Sequence, residues 1–114
     1  MNNICKNNMK TNVFMDLFTS KEDICNEFQI PPDVLADKEI VLAYYDCEDY
    51  CGCAIVIYVD TLGQFWEVHG SHCSCYGLEG QWEPELIGDF ELFKEYSKTQ
   101  QIDFGKGSIY SMLF

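Results

Sequence analysis

The sequence predicts an α+β domain, a small antiparallel sheet around a central hairpin covered by two or three helices. Three observations predict it. Residues 53–59, Cys-Ala-Ile-Val-Ile-Tyr-Val, are almost continuously apolar and rich in β-formers, which marks a strand buried on both faces. Asp60-Thr61-Leu62-Gly63 then turns the chain, with Gly63 supplying the left-handed backbone, and residues 64–69 return as the partner strand. Apolar side chains at helical spacing flank this hairpin at 21–28 and again at 88–98.

The chain has 114 residues, the length of one compact domain. Residues 1–12 are polar and Asn-rich and read as a flexible leader; residues 13–114 read as a single domain. Val13 to Phe18 is short and apolar and fits a helical turn or a strand. Thr19-Ser20-Lys21-Glu22 has the pattern of a capping box, with a hydroxyl accepting from the first turn and Glu22 reaching back. The helix over 21–28 places Ile24, Cys25 and Phe28 on one face. Pro31-Pro32 stops it, because neither proline can donate a hydrogen bond and the first disfavours helix at Ile30. Residues 33–37 suit one more helical turn.

Residues 39–45 are mostly β-formers and supply a strand beside the hairpin. Residues 46–52 form a polar turn. In the returning strand Trp66 and Val68 share one face, while Phe65, Glu67 and His69 share the other. Residues 70–80 are rich in Gly and Ser and read as a loop, continued by an extended segment through Pro84. The helix over 88–98 carries Phe90, Phe93 and Tyr96 on one side and Lys94 and Lys98 toward its C-terminal end, where the helix dipole favours cations. Ile109 to Phe114 is apolar enough to form a last strand or to dock on the core.

The formal net charge is −12, from 19 acidic residues against 7 Lys and no Arg. Such a surface repels nucleic acid and anionic membranes, so a basic protein or a metal cation is the expected partner. The charge is also unevenly placed. Residues 39–93 hold eleven Asp or Glu and no Lys or Arg, together with five of the seven cysteines and both histidines. No signal-peptide pattern opens the chain, and its apolar runs are too short to span a membrane. A cytoplasmic setting is therefore expected. The odd number of cysteines fits reduced thiols better than a closed disulfide framework.

The run Ser71-His72-Cys73-Ser74-Cys75-Tyr76-Gly77-Leu78-Glu79-Gly80-Gln81-Trp82-Glu83-Pro84-Glu85 resembles a family of small bacteriophage and prophage proteins. The resemblance reaches back through the hairpin to Tyr50. The family carries no assigned activity, so no functional residue is transferred from it. What it implies is a mobile-element setting, in which small acidic proteins often act by binding host proteins, bacterial defence complexes among them.

Two constellations invite a functional reading. The hairpin turn pairs residues whose numbers sum to about 123 or 124, which gathers Cys51, Cys53, His72, Cys73 and Cys75 at one end, with Cys47 and His69 nearby. Several soft ligands at one spot are what tetrahedral zinc requires, although both cysteine pairs are Cys-x-Cys rather than the familiar Cys-x-x-Cys. The second is an acidic surface of Asp46, Glu48, Asp49, Glu79, Glu83 and Glu85, interleaved with the aromatics Tyr76 and Trp82. The same hairpin is expected to merge these carboxylates at one end of the sheet, where they imitate a phosphate backbone and occupy a Lys/Arg groove.

Other chemistries are weaker. His72 beside Cys73 has the atom types of a thiol nucleophile, but adjacent residues rarely bring imidazole and thiol together. Glu83-Pro84-Glu85 and Glu48-Asp49 invite an acid/base reading, yet lack an evident pocket. Gly105-Lys106-Gly107-Ser108 lacks the spacing of a phosphate loop. The sequence thus predicts a non-catalytic acidic phage or prophage protein that binds and inhibits a basic host protein, in the manner of an anti-CRISPR or DNA-mimic inhibitor. No cofactor is expected for that role. The alternative is a small zinc-binding module using residues 51–75.

Overall fold

The computed structural model describes residues 9–48, 51–73, 77–102 and 107–114, without the side chains of Glu48 and Ile102. The fold is α+β. A five-stranded sheet runs in the order β1-β2-β3-β4-β5, where β1 is Val13–Asp16, β2 Glu39–Glu48, β3 Cys51–Val59, β4 Phe65–His72 and β5 Glu85–Gly88. Only β1 and β2 pair in parallel; the other pairs are antiparallel. Helix α1 (Lys21–Phe28) contributes to the core on one face, and α2 (Phe90–Thr99) and α3 (Ile109–Leu113) to the core on the other. Two short strands, β6 (Gln101–Ile102) and β7 (Gly107–Ser108), form a separate ribbon between α2 and α3.

Strand β3 shows why the helices divide between two faces. It is hydrogen-bonded to β2 along one edge and to β4 along the other. From Ala54 to Val59 all its residues are buried. Ala54, Val56 and Tyr58 join the core under α1, with Ile24, Phe28 and Leu35. Ile55, Ile57 and Val59 join the core under α2 and α3, with Phe65, Phe93 and Leu113. The β3–β4 register is uniform, running from Val59↔Phe65 to Gly52↔His72, as the turn at Asp60–Gly63 predicts. Asp60 fixes that turn: its Oδ1 accepts from the amides of Leu62 (2.9 Å) and Gln64 (3.0 Å), and its Oδ2 from the Trp66 indole (2.9 Å). Gly63 has φ +81°, the left-handed backbone expected of it.

Strand β2 contains a bulge. Its ladder steps from Ile40↔Tyr58 to Leu42↔Ile57, leaving Val41 as the extra residue. Val41 and Leu42 therefore both pack in the α2/α3 core, between Ile40 and Ala43 in the α1 core.

Helix α1 spans the predicted residues, but its cap is built one residue later than expected. Ser20 is the N-cap and accepts from the Asp23 amide at 3.3 Å. Asp23, not Glu22, reaches back, taking the Thr19 amide at 2.8 Å and its hydroxyl at 2.6 Å. An aspartate at the third helical position is short enough to close this box. The single turn expected near 33–37 is a 3-10 turn at Pro32–Val34.

Three segments sharpen the expectation. Strands β2 and β4 run on to Glu48 and His72, so part of the predicted polar turn and of the predicted 70–80 loop is sheet. Of the two readings for Ile109 to Phe114, docking on the core holds: Ile109 to Leu113 is a helix that buries Ile109 and Leu113, capped by Ser108, whose side chain accepts from the Ser111 amide at 3.1 Å. Residues 9–12 of the predicted leader are packed against the domain. Met9 is buried, Lys10 donates to the Leu113 carbonyl (2.8 Å) and Asn12 to that of Ile40 (2.8 Å). Residues 1–8 lie outside the described residues.

The α2/α3 core centres on Phe65 and Phe93, whose rings stack at 4.5 Å and 5°. Phe93→Ala is expected to lower the unfolding free energy by about 3–5 kcal/mol, because it opens a cavity in a filled core. Leu92→Ala, on the exposed side of the same turn, should stay within about 0.5 kcal/mol. Urea denaturation of the two variants checks this contrast.

Candidate functional site

The segment after β4 folds back along that strand. Gln81 holds it there: its amide nitrogen donates to the Ser71 carbonyl (2.8 Å) and its amide oxygen accepts from the Ser71 amide (2.8 Å). One side chain thus satisfies both backbone groups of a strand residue, as a neighbouring strand would. The same nitrogen lies 3.0 Å from the Gly77 carbonyl. Leu78 is fully buried, and it and Phe28 approach Gly70 so closely that a Cβ there would lie 2.9 Å from Leu78 and 3.2 Å from Phe28. A glycine is needed at that point of β4.

Clamped in this way, the segment presents Glu79, Glu83 and Glu85 as exposed carboxylates. Glu85 starts β5 and pairs with Glu67. Glu67 lies five residues before His72, so Glu85 is some ~16 Å along the strand from the Asp46–Glu48 end. The carboxylates are spread along this segment rather than gathered in the single cluster expected at one end. Glu79 still reaches that end, since its charge is felt at Tyr45. Asp46 is half-buried opposite Cys53. Glu48 pairs with Cys51 through its backbone. Asp49 and Tyr76 lie outside the described residues.

Trp82 is not a free anchor. It lies half-buried against Phe28, edge-on at 5.1 Å, and stacks on Tyr58 at 6.0 Å. It closes the α1 core where the segment crosses it.

The predicted thiol–imidazole set divides between the two faces of the sheet. Gly52 pairs with His72 and Cys53 with Ser71, so His72 shares the face of Gly52 while Cys53 and Cys51 share the other. His72 Nε2 lies 2.7 Å from the Tyr45 hydroxyl, and Nδ1 lies 3.1 Å from the Cys73 carbonyl. A carbonyl can only accept, so Nδ1 carries the proton and Nε2 accepts from the phenol. Both ring nitrogens are therefore engaged, and the imidazole meets the Cys73 backbone rather than its thiol. Cys47, Cys51 and Cys73 are exposed and Cys25 is buried. Among the described residues no three His, Cys, Asp or Glu side chains converge as a metal-binding set. Cys75 lies outside them.

A different constellation occupies the α2 side of β4. Glu67 is 4% exposed, the one buried charged side chain among the described residues. The Tyr96 hydroxyl of α2 donates to its Oε1, and Nε2 of His69 lies 3.0 Å from that same oxygen. Oε2 has no hydrogen-bond partner among the described residues. Burial, then the hydrogen bond and charge of Glu67, then the charge of Glu85, push the Tyr96 phenol well above its usual range. Glu67 lines an open groove of about 350 Å³ with Glu85, Leu86, Ile87, Leu92 and Tyr96. A second depression of about 220 Å³ adjoins it, sharing Glu85 and adding His69, Gln81 and Glu83. Sequence reasoning missed Glu67, because a lone Glu alternating with apolar neighbours reads as solvent-facing. The usable signal was that it shares a face with Phe65 rather than with a polar edge.

Comparison with known protein families, characterised proteins and solved structures finds no match. Among the described residues no helix is long and apolar enough to cross a membrane.

Two measurements follow from this geometry. Burial first, then the charges of Glu27, Cys47 and Glu79, push the Tyr45 phenol from its ordinary 10.0 up to about 12. A pKa raised on folding contributes stability that is complete below the unfolded value and fades as pH rises through the folded one. Stability should therefore fall between pH 10 and about 12, and Tyr45→Phe should flatten that part of the profile in denaturant melts. Peptide-mapped alkylation should label Cys47, Cys51 and Cys73 quickly in the native protein. Cys25, whose thiol burial pushes up, should react only on unfolding.

Proposed function

We propose that this chain is a non-catalytic acidic protein, of phage or prophage origin, that binds and inhibits a basic protein of a bacterial host in the cytoplasm. The reading rests on one observation above others. Glu79, Glu83 and Glu85 are exposed on a segment that Gln81 clamps to β4, within a stretch of 55 residues that contains no Lys or Arg. Like charges on a fixed segment, backed by a net charge of −12, steer a basic groove toward it and set the register of docking. Nucleic-acid-handling proteins carry such grooves, and host defence complexes that bind DNA or RNA are the class this reading favours. The resemblance of residues 71–85 to small phage proteins supports the same setting.

Inhibition by occupancy needs a rigid surface more than a reactive one. The segment has the rigidity, since Leu78 is buried and Gln81 bridges to β4 on both its amide atoms. Order before binding lowers the entropy lost on docking.

The test is capture from a bacterial lysate with the full chain immobilised. Basic nucleic-acid-binding proteins should be recovered at low salt and released at on the order of 0.5 M salt, where charge is screened over a few ångströms. The variant Glu79→Gln/Glu83→Gln/Glu85→Gln, three charges less negative, should recover several-fold less. Recovery of no basic partner at low salt, or equal recovery by the variant, would overturn the reading.

A further inference from the structure

We propose that the groove between β4, β5 and α2 is a receptor for one arginine side chain of the basic partner, with Glu67 at its base and Glu85 at its rim. This rests on the reading above and gives it a point of specificity.

The pairing of Glu67 with Glu85 costs stability. Glu67 and Glu85 are directly opposite in the antiparallel ladder. Side chains at such a pair emerge on the same face with Cβ atoms about 4.5–5.5 Å apart, and like charges there repel. One of the two is also buried, and a buried carboxylate needs its lone pairs satisfied. The chain satisfies only half of Glu67: Tyr96 and His69 both address Oε1, and Oε2 has no hydrogen-bond partner among the described residues.

Among the described residues, the lysines of α2 are engaged elsewhere. On α2, Lys94 lies 5.9 Å from the centre of the Phe114 ring and Lys98 lies 5.3 Å from that of Tyr110 and 3.3 Å from Glu95. No described lysine lines the groove. A cation entering from outside would relieve the repulsion between Glu67 and Glu85, both of which line the groove.

The walls select the kind of cation. Leu86 and Leu92 are 56% and 59% exposed, large apolar side chains standing in solvent at the groove. With Ile87 they suit an aliphatic stem ending in a charge. The planar guanidinium fork can donate to two carboxylates at once, which a single ammonium does less well. A groove of about 350 Å³ accommodates one such side chain.

The experiment is an NMR titration of the full chain with three capped tripeptides, Gly-Arg-Gly, Gly-Lys-Gly and Gly-citrulline-Gly. The arginine peptide should produce saturable shifts centred on Glu67, Glu85, Leu92 and Tyr96, the lysine peptide weaker ones, and the neutral citrulline peptide none. Glu67→Gln and Glu85→Gln should each weaken arginine binding about tenfold, as loss of a charge-assisted hydrogen bond does. Glu91→Gln, the same charge change away from the groove, should leave it within about twofold. If Glu67→Gln does not fold, Glu85→Gln and Leu92→Ala carry the same test. Shifts scattered over every carboxylate, equal binding of citrulline, or no effect of Glu85→Gln would overturn the proposal. The two readings separate cleanly: lysate capture that survives Glu67→Gln and Glu85→Gln but is lost on neutralising Glu79 and Glu83 sinks the arginine site and leaves the acidic inhibitor standing. Arginine binding in the groove without any captured basic partner does the reverse.

Discussion

Strand β3 is the constraint on which the remaining structure depends. Its backbone is consumed by β2 and β4, and its side chains are buried on both faces from Ala54 to Val59. A strand in that position has no solvent side, so each face must be covered by other chain segments. The order of elements follows. The segment before β2 supplies α1 for one face, and the segment after β5 supplies α2 and α3 for the other. The linker from β4 to β5 must also cross the α1 side, which is why Leu78 and Trp82 are packed there and the glutamates between and after them face outward.

Much of this frame is legible in the residues themselves. The run at 53–59 suggests a central strand, and the Asp60–Gly63 turn places the β3–β4 register to within one residue, the observed pairs summing to 124. Helix α1 begins at Lys21 after a Ser-x-x-Asp box and ends before two prolines. What resisted reading is what depends on tertiary packing. The bulge at Val41 has no local signal, because Val and Leu are equally at home on either face; only the two cores decide that both belong to one of them. Ile109 to Leu113 has the composition of a strand, but it follows a capping serine and lies over the α2/α3 core, where a helix buries Ile109 and Leu113 together. Propensity in so short a segment is easily overruled by packing.

The candidate site divides in the same way. Cross-strand arithmetic leaves Cys53 beside Gly70 or Ser71, and the structure selects Ser71; a one-residue ambiguity of this kind leaves the face unspecified. Parity along the strand separates His72 from Cys51 and Cys53, and the Tyr45 hydroxyl then takes up the imidazole. The aromatic interleaved with the acidic run at Trp82 is drawn inward by Phe28 and Tyr58. Glu67 escaped notice because sequence alternation cannot say which helix will cover a face, and the tyrosine that meets its carboxylate is 29 residues away.

The acidic window itself is not one property. Asp60 binds three donors within its own turn, and Asp89 caps α2 by accepting from Leu92 at 3.0 Å. Those carboxylates are explained by the fold, and their charge is already spent on backbone and indole N–H groups. Glu79, Glu83 and Glu85 are exposed on a segment that Gln81 clamps to β4. Glu67 is buried, with one oxygen satisfied twice over and the other not at all among the described residues. Solubility requires only that charges be exposed, and helix capping only that they be local. Neither requirement accounts for a buried carboxylate set opposite an exposed one in the same ladder. The proposed arginine would pair with both, and the exposed glutamates nearby would favour its approach.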